Sequence, residues 1–325
     1  MSSAHQVCSA RVAELLSAMA GQRTLVVGDV MLDEYVWGRA DRVSPEAPVL
    51  VVRSERVTQV PGGAANVAQC LLALGARVGV CGIVGDDEPG GSLGRQLTEA
   101  GADPVRLVRD RARPTTIKTR VLAGTQQVVR IDRESRAALA EAPAADLLAQ
   151  VDAALAGCAG LLLSDYDKGV LTPESIPALL ELAAAKGVRV AVNAKPRLAG
   201  FYQGVDLLTV NRVEAEAICG IAPDSPEQAA RAATWIGERL GCRHTLVTLG
   251  GDGAILHQCG GETQLVAPWP VPVYDVAGAG DTTIAAAHLA LCAGAQPREA
   301  VELAMRAAAV VVRKVGVATA TPAEV

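Results

Sequence analysis

Short runs of apolar, often β-branched residues recur along the chain, and segments with a helical period separate them. The runs are continuous rather than alternating, which is typical of strands buried on both faces of a parallel sheet. They lie at 24–32, 77–85, 160–166, 188–194, 205–211 and 244–250. The segments between them open or close on Ser, Thr, Pro or Gly, as helices do. This alternation predicts an α/β fold, a three-layer α/β/α sandwich around a mostly parallel central sheet.

Two segments, about 33–60 and about 115–132, alternate polar with apolar residues and have no helical period. That pattern is typical of antiparallel strands with one face exposed to solvent, so we expect a small antiparallel β lid over one edge of the sheet. No low-complexity linker or fixed-period repeat divides the chain. We therefore expect residues 1–325 to form a single domain.

Composition narrows the class of partner. The net charge of −5 and the scattered basic residues argue against a nucleic-acid binder, so we expect a small-molecule partner. The eight cysteines have no metal-ligand spacing and are expected to be free thiols. The N-terminus has no secretory pattern, and the apolar runs are too short to cross a bilayer. We expect a cytoplasmic protein with no membrane partner.

Polar residues follow most of the predicted strands. In open α/β sheets the ligand binds beyond the carboxyl ends of the strands, so these residues are the first candidates for a site. They are Asp29, Asp33, Gly85, Asp86, 164–168, 193–195, Asn211, Glu214 and 250–253.

The segment "DVAGAGDTTIAAA" at 275–287 places small residues directly before a helical run. Small residues leave backbone amides uncovered at a helix N-terminus, where an anion is favoured. Asp281 follows them, and its carboxylate could accept a proton from a hydroxyl that attacks phosphorus. Equally, Asp is a favoured N-cap, and glycine before a helix is often only a tight turn, without any catalytic role.

A second glycine cluster, "PGGAANVAQCLLALG" at 61–75, also runs into a helix and carries Asn66 one turn in. Together with Asp33 at a strand end, Asn66 could hydrogen-bond a polyol. The alternative is that Gly62 and Gly63 only end the preceding strand.

Taken together, the two clusters resemble the two signatures of the ribokinase-like (PfkB) carbohydrate kinases. The first resemblance covers 62–68 with Gly75 and Gly85, and the second covers 275–286. Further segments occur in the family's order over most of the chain: "GDVMLD" near the start, "NRVE" at 211–214, "TLGGDGA" at 248–254 and "GVATATP" near the end.

The resemblance implies an ATP-dependent kinase that requires Mg²⁺, and it leaves open a monovalent cation such as K⁺. It implies that Asp281 is the general base and that the backbone at Gly278, Ala279 and Gly280 stabilises the transferred phosphoryl group. Sugar hydroxyls are expected at Asp33, Gly62, Gly63 and Asn66. Relatives of this kind often dimerise through the lid, so we expect a homodimer.

On the nucleotide side, the resemblance implies that Asn211 and Glu214 organise Mg²⁺ and phosphate, with Glu214 acting on the metal through water. The remaining nucleotide candidates are Asn193, Lys195, Thr248, Gly250 and Gly253. Many relatives have Asp in place of Asn193, which puts a direct acidic role there in doubt. Lys195 either contacts a nucleotide phosphate or is a solvated loop residue.

Within the family, segments 31–52, 120–122 and 163–171 most resemble the branch that phosphorylates O1 of D-glycero-β-D-manno-heptose 7-phosphate, on the route to ADP-heptose for lipopolysaccharide. Because the sequence ends at Val325, just after the family's closing segment, a single-function form is expected.

A 7-phosphate calls for Arg or Lys, and each candidate is alternatively a solvated surface charge. Lys168 is favoured because it follows a buried strand, although it could instead pair with Asp165 or Asp167. The other candidates are Arg39, Arg42, Arg120 and Arg130.

Two other readings of the function stay open. The family signatures also fit a kinase of another sugar, sugar phosphate or nucleoside, and the same fold could serve a non-catalytic sugar-phosphate sensor. The phosphate loop GxxxxGK[ST] and a GxGxxG after the first strand are both absent from the sequence, which argues against P-loop enzymes and dinucleotide dehydrogenases.

Overall fold

A computed structural model describes residues 7–124 and 126–325. Its strands are β1 (Arg23–Gly28), β2 (Val30–Val43), β3 (Leu50–Gly63), β4 (Arg77–Gly85), β5 (Val105–Asp110), β6 (Ile117–Ala123), β7 (Gln126–Arg133), β8 (Gly160–Ser164), β9 (Arg189–Asn193), β10 (Leu207–Asn211), β11 (His244–Thr248), β12 (Ala254–Gln258) and β13 (Thr263–Val266). Its α-helices are α1 (Ser9–Met19), α2 (Ala64–Ala73), α3 (Glu88–Glu99), α4 (Glu141–Leu155), α5 (Ser175–Ala185), α6 (Arg212–Cys219), α7 (Pro226–Leu240), α8 (Ala279–Cys292) and α9 (Pro297–Val311).

The central sheet has the strand order β13-β12-β11-β10-β9-β8-β1-β4-β5. It is parallel from β11 to β5, and β12 and β13 extend it as antiparallel strands. Each continuous apolar run in the sequence contains one of its parallel strands. Apolar side chains on its two faces form separate core clusters, one including α2 and α8 and the other including α4, α5 and α7. The predicted three-layer α/β sandwich is confirmed.

A second, smaller sheet has the order β3-β2-β6-β7 and forms the lid. Its outer pairs, β2 with β3 and β6 with β7, are antiparallel, whereas the central pair of β2 and β6 is parallel. The parallel pair arises because the chain passes through α2, β4, α3 and β5 of the main body before it returns to the lid. Whether the chain acts as one domain stays a prediction.

None of the helices in the described ranges combines the length and the apolarity that a membrane crossing requires. The eight cysteines are all free thiols, and those at 70, 81 and 242 are buried in the core.

The turn from β1 into β2 brings the first polar residues to the carboxyl edge of the sheet. Gly28 ends β1 opposite Ser164 of β8, and a Cβ at Gly28 would lie 2.8 Å from the carbonyl carbon of Ser164, with its oxygen closer still. The backbones at this edge can meet only because residue 28 has no side chain. Asp29, the next residue, is consequently placed against the loop that follows β8.

We predict that Gly28→Ala lowers the free energy of unfolding by about 1–3 kcal/mol, because the added methyl group meets backbone that cannot rotate away. Urea denaturation measures the change. Gly200→Ala is the matched control, since Gly200 is exposed and a Cβ there has no neighbour within 4 Å in the described residues. Equal denaturation midpoints for the two variants would contradict the argument.

Candidate active site

Asp281 lies in the first turn of α8 and is only 9% exposed. One carboxylate oxygen, Oδ2, accepts a hydrogen bond of 2.7 Å from Nδ2 of Asn66, in the first turn of α2. The other oxygen, Oδ1, accepts a hydrogen bond from the hydroxyl of Tyr166, in the loop after β8. The two glycine clusters of the sequence therefore meet at one carboxylate, although Asn66 and Asp281 are 215 positions apart.

Burial raises the pKa of Asp281, while the hydrogen bonds from Tyr166 and Asn66 and the charge of Lys195 oppose that rise. The pKa of Tyr166 is well above its ordinary value because the ring is buried beside this carboxylate, so its hydroxyl stays protonated and donates. The result is an ionisable carboxylate with raised proton affinity, which is the property that a general base needs.

The entrance of α8 is built from small residues. Gly278 has φ +79°, a left-handed conformation that favours glycine, and a Cβ there would lie 3.3 Å from Nδ2 of Asn66. The N–H of Ala279 donates to the carbonyl of Val276 at 3.2 Å. The N–H groups of Gly280 and Asp281 have no backbone acceptor within the described ranges. The anion site predicted at Ala279 and Gly280 therefore has its available amide at Gly280.

Acceptors for hydroxyl groups lie next to Asp281. Asp33, on β2, is buried and receives a hydrogen bond from Arg120 of β6. A Cβ at Gly62 would lie 2.9 Å from the carboxyl carbon of Asp33, so glycine leaves room for that carboxylate. The Nδ2 group of Asn66 donates its hydrogen bond to Asp281. The buried Oδ1 of Asn66 has no hydrogen-bond partner among the described residues. A buried acceptor of this kind is satisfied when a hydroxyl donates to it.

Gly63 controls the passage from β3 into α2. It caps the helix at φ +57°, and a Cβ there would lie 2.5 Å from the carbonyl oxygen of Asp29 and 2.6 Å from Cε of Met31. A residue with a side chain would move α2, and Asn66 would move with it.

The loop that carries Tyr166 is held by Asp29. Its carboxylate accepts hydrogen bonds from the backbone N–H groups of Tyr166, Lys168 and Val170 at 2.8, 3.1 and 3.2 Å. Burial raises the pKa of Asp29 to about 6. The sequence placed Tyr166 within the candidate segment 164–168 but gave it no role of its own, because a tyrosine between two aspartates carries no signal that its hydroxyl reaches a residue in α8.

The nucleotide candidates Thr248, Gly250 and Gly253 line one cavity of about 310 Å³ together with Ala279 and Gly280. The cavity wall is otherwise largely apolar. It includes Pro268, Trp269, Val271, Met305 and Val312. An apolar cleft that ends at a helix N-terminus suits a flat base at one end and a phosphate at the other.

The NxxE segment has a structural role in addition to any ligand role. Asn211 caps α6 by accepting from the N–H of Glu214 at 2.9 Å, and Oε2 of Glu214 accepts from the N–H of Asn211 at 2.9 Å. Oε1 of Glu214 pairs with the ammonium of Lys195, and Asn193 lies at the end of β9 near them. Both carboxylate oxygens of Glu214 are thus occupied.

Within the described ranges, no group of three or more His, Cys, Asp or Glu side chains could hold a metal ion. Mg²⁺ commonly keeps several waters and binds through substrate phosphates. The residues present therefore fit Mg²⁺ only in that way.

The predicted phosphate-binding cations mostly have carboxylate partners. Lys168 pairs with Glu134 at 2.8 Å rather than with Asp165 or Asp167. Arg120 pairs with Asp33, Arg130 with Asp132 at 2.9 Å, and Arg39 with Glu55 at 3.1 Å. Arg42 is exposed near the far end of β2, nine residues beyond Asp33 and so about 30 Å away along the strand. The structure does not bring Arg42 to the site.

A phosphotransferase that acts on a sugar hydroxyl would need the groups found here. They are a buried carboxylate, hydroxyl acceptors beside it and a free helix N-terminus at a nucleotide-sized cleft. The model of the pfkB family carbohydrate kinases matches residues 22–324, and the chain belongs to that family. Membership implies ATP as phosphoryl donor and Mg²⁺ as its metal.

Two curated relatives are both called bifunctional protein HldE. The protein from Pelobacter propionicus is 44% identical over 306 residues, which cover 93% of this chain and 62% of the relative. The protein from Desulfatibacillum aliphaticivorans is 40% identical over 309 residues, which cover 95% and 63%. The chain thus spans less than two thirds of the length of these relatives.

Solved structures share the fold. Phosphofructokinase-2 from Escherichia coli in complex with potassium has a TM-score of 0.78 at 22% identity, with 94% of this chain and 96% of that chain covered. Ribokinase from Arabidopsis thaliana, complexed with ribose and ATP, has a TM-score of 0.72 at 22% identity, with 94% and 95% covered.

We predict that Tyr166→Phe raises the pKa of Asp281, because the ionised carboxylate loses one of its donors. A hydrogen bond to a charged group contributes about 1.5–3 kcal/mol, so its loss should raise this pKa measurably. A ¹³C NMR titration of the aspartate carboxyl groups measures the shift, and Asp281→Asn assigns the signal.

Tyr202→Phe is the matched control for this titration. It removes a buried hydroxyl that donates to Asp165 at 3.0 Å, and it should leave the pKa of Asp281 unchanged. An unshifted Asp281 signal in Tyr166→Phe would show that the hydrogen bond does not stabilise the carboxylate.

Proposed function

We propose that this chain transfers the γ-phosphoryl group of ATP to O1 of D-glycero-β-D-manno-heptose 7-phosphate, giving the 1,7-bisphosphate on the route to ADP-heptose and lipopolysaccharide. The observation that carries the proposal is the buried carboxylate of Asp281, held by Asn66 and Tyr166 between hydroxyl acceptors and the free amide of Gly280.

In the proposed mechanism, Asp33 and Oδ1 of Asn66 accept hydrogen bonds from sugar hydroxyls and so orient O1 toward Asp281. Asp281 takes the O1 proton as O1 attacks the γ-phosphorus; the new O1–P bond forms while the bond to the β-phosphate oxygen breaks and ADP leaves. The N–H of Gly280, at the positive end of α8, stabilises the charge on the transferred group.

Around the phosphates, Glu214 would hold Mg²⁺ through water, and Lys195 and Asn211 would keep that carboxylate in place. Bound Mg²⁺ neutralises phosphate charge as the transition state develops. The proposal includes a monovalent cation near Asp275. The carboxylate of Asp275 accepts hydrogen bonds from the N–H groups of Ala277 and Gly316, both at 2.9 Å. Potassium in the solved phosphofructokinase-2 complex supports that part of the proposal.

The choice of heptose 7-phosphate rests on sequence. Segments 31–52, 120–122 and 163–171 resemble that branch of the family, and the relatives at 40–44% identity named HldE support the same branch. The alternatives are another sugar, sugar phosphate or nucleoside as acceptor, and a sensor that binds a sugar phosphate without turning it over.

We also propose that two copies associate through the lid and act in the cytoplasm, where the free cysteines would stay reduced. Val57, Val36, Val121 and Val129 lie opposite one another across the four lid strands, on the face that points away from Asp33. An apolar stripe across an exposed sheet is the feature that a symmetric partner would cover.

The substrate proposal predicts ATP consumption with heptose 7-phosphate and little with ribose, fructose 6-phosphate or adenosine. Asp281→Asn should lower kcat by about 10²- to 10⁴-fold and still bind the sugar phosphate, because only the proton acceptor is lost. EDTA should abolish turnover. A coupled ADP assay and calorimetric titration of the variant measure both effects.

Turnover of a different sugar would show that the acceptor is wrong and leave the role of Asp281 standing. Unchanged kcat in Asp281→Asn would refute its role as the base. Binding without turnover of any acceptor would favour the sensor.

For the homodimer, we predict a mass in solution of twice 33.4 kDa at micromolar concentration and a monomer for Val129→Asp, because a charge would be buried in the apolar interface. Sedimentation velocity distinguishes the two. Leu265→Asp on β13 is the matched control, since Leu265 is 43% and Val129 45% exposed. A monomeric wild type would refute this proposal.

A further inference from the structure

Lys118 is a lid cation on the same face as Asp33. It lies on β6 directly opposite Asp33 of β2 and Asp132 of β7. Residues paired in this way on neighbouring strands point to one side of the sheet, which we call the site face of the lid. Lys118 therefore stands one strand beyond the carboxylate that the proposed mechanism assigns to sugar hydroxyls.

Lys118 differs from the other cations near the site in its partners. Lys168, Arg120 and Arg130 each pair with a carboxylate. The half-buried ammonium of Lys118 has no hydrogen bond or salt bridge to any residue within 7–124 and 126–325. Burial and the neighbouring ammonium of Lys168 lower its pKa. The fold thus holds a partly desolvated charge in place with no direct salt bridge, and the charges of Asp132 and Glu134 offset it only in part.

The charges around Lys118 favour a doubly charged anion. Five cations surround three carboxylates, which leaves two positive charges, and a phosphate monoester at neutral pH carries about two negative charges. The cations are Lys118, Lys168, Arg120, Arg130 and Arg136, and the carboxylates are Asp33, Asp132 and Glu134.

Lys168 is placed to share such an anion. An ammonium has three N–H donors, and the contact with Glu134 does not use all of them. Its backbone is fixed by the N–H bond to Asp29, so Lys168 approaches from the main body while Lys118 approaches from the lid.

We propose that Lys118, with Lys168 beside it, binds the phosphate group that the sugar already carries, and so makes the enzyme select a sugar phosphate over the free sugar. This inference rests on the proposed function, whose substrate it deepens. The phosphate would join lid to main body, because one ammonium partner comes from strand β6 of the lid and the other from the loop after β8 of the main body.

The test compares wild type, Lys118→Met and Lys118→Arg with heptose 7-phosphate and with the same heptose lacking the phosphate. Lys118→Met should raise KM for the phosphorylated sugar about 10- to 150-fold, the range expected for one charge-assisted contact, with kcat within about twofold. Its kcat/KM for the free heptose should not change. Lys118→Arg should recover most of the lost affinity, since the charge is kept.

Lys186→Met is the matched control. Lys186 follows α5 and precedes β9, so it lies at the opposite edge of the sheet, where it pairs with Asp152 at 2.8 Å. The same change of residue type there should leave both values of KM unchanged.

Thermal denaturation gives a second readout. Without ligand, Lys118→Met should be at least as stable as wild type, because a half-buried charge with no direct salt bridge is removed. Saturating heptose 7-phosphate should raise the Tm of wild type and raise that of Lys118→Met much less.

The measurements distinguish a failure of the inference about Lys118 from a failure of the proposed function. If wild type turns over heptose 7-phosphate and Lys118→Met keeps its KM, or raises KM equally for both sugars, the inference is wrong and the proposed function stands. If wild type prefers another sugar phosphate, the proposed sugar is wrong, and that compound and its dephosphorylated form test Lys118 in the same way. If wild type prefers sugars without phosphate, both are wrong.

Discussion

The hydrogen bond from Asn66 to Asp281 is the contact on which the geometry of the site depends. It joins the first turns of α2 and α8. One turn further along α2, Sγ of Cys70 approaches Oγ1 of Thr282, the residue after Asp281, to 3.4 Å. Both helices begin at a glycine with positive φ, so the chain can enter each of them sharply beside the other. Because Nδ2 of Asn66 is used on Asp281, its Oδ1 is left for a hydroxyl. One side chain thus holds the carboxylate and presents an acceptor next to it.

The carboxyl edge of the sheet concentrates buried carboxylates, and the fold compensates each of them with donors. Asp29 receives three backbone N–H groups, and Asp165 receives the hydroxyl of Tyr202 and the N–H groups of Asp167 and Lys195. Burial raises the pKa of both. These two aspartates fix the loop after β8, and that loop delivers the hydroxyl of Tyr166 to Asp281. Asp29 accepts the N–H of Tyr166 itself, so this carboxylate with a structural role helps to set the proton affinity of Asp281.

The sequence predicted the parallel strands well because burial on both faces leaves a continuous apolar run. It missed β5, where "VRLVRD" alternates arginine with apolar residues at the edge of the sheet, and it did not indicate that β2 and β6 pair in parallel. The two helix entrances were identifiable because glycine and a polar residue at a helix start are local signals. The contact of Tyr166 with Asp281 and the partners of the lid cations could not be identified from the sequence. They depend on strand register and on contacts between segments far apart in the chain.

The lid combines two chemistries on four strands because side chains alternate between its faces. On the site face, Tyr35 lies opposite Arg120, whose guanidinium stacks on the ring at 5.4 Å and also reaches Asp33. The opposite face carries the valine stripe. Each side chain of a lid strand points to one face or the other. A shift of register by one residue would therefore move the charged side chains to the valine face and the valines to the site face. A second copy covering the valines would therefore fix the strands that carry the charges, and the affinity for a sugar phosphate would depend on an interface that no substrate touches.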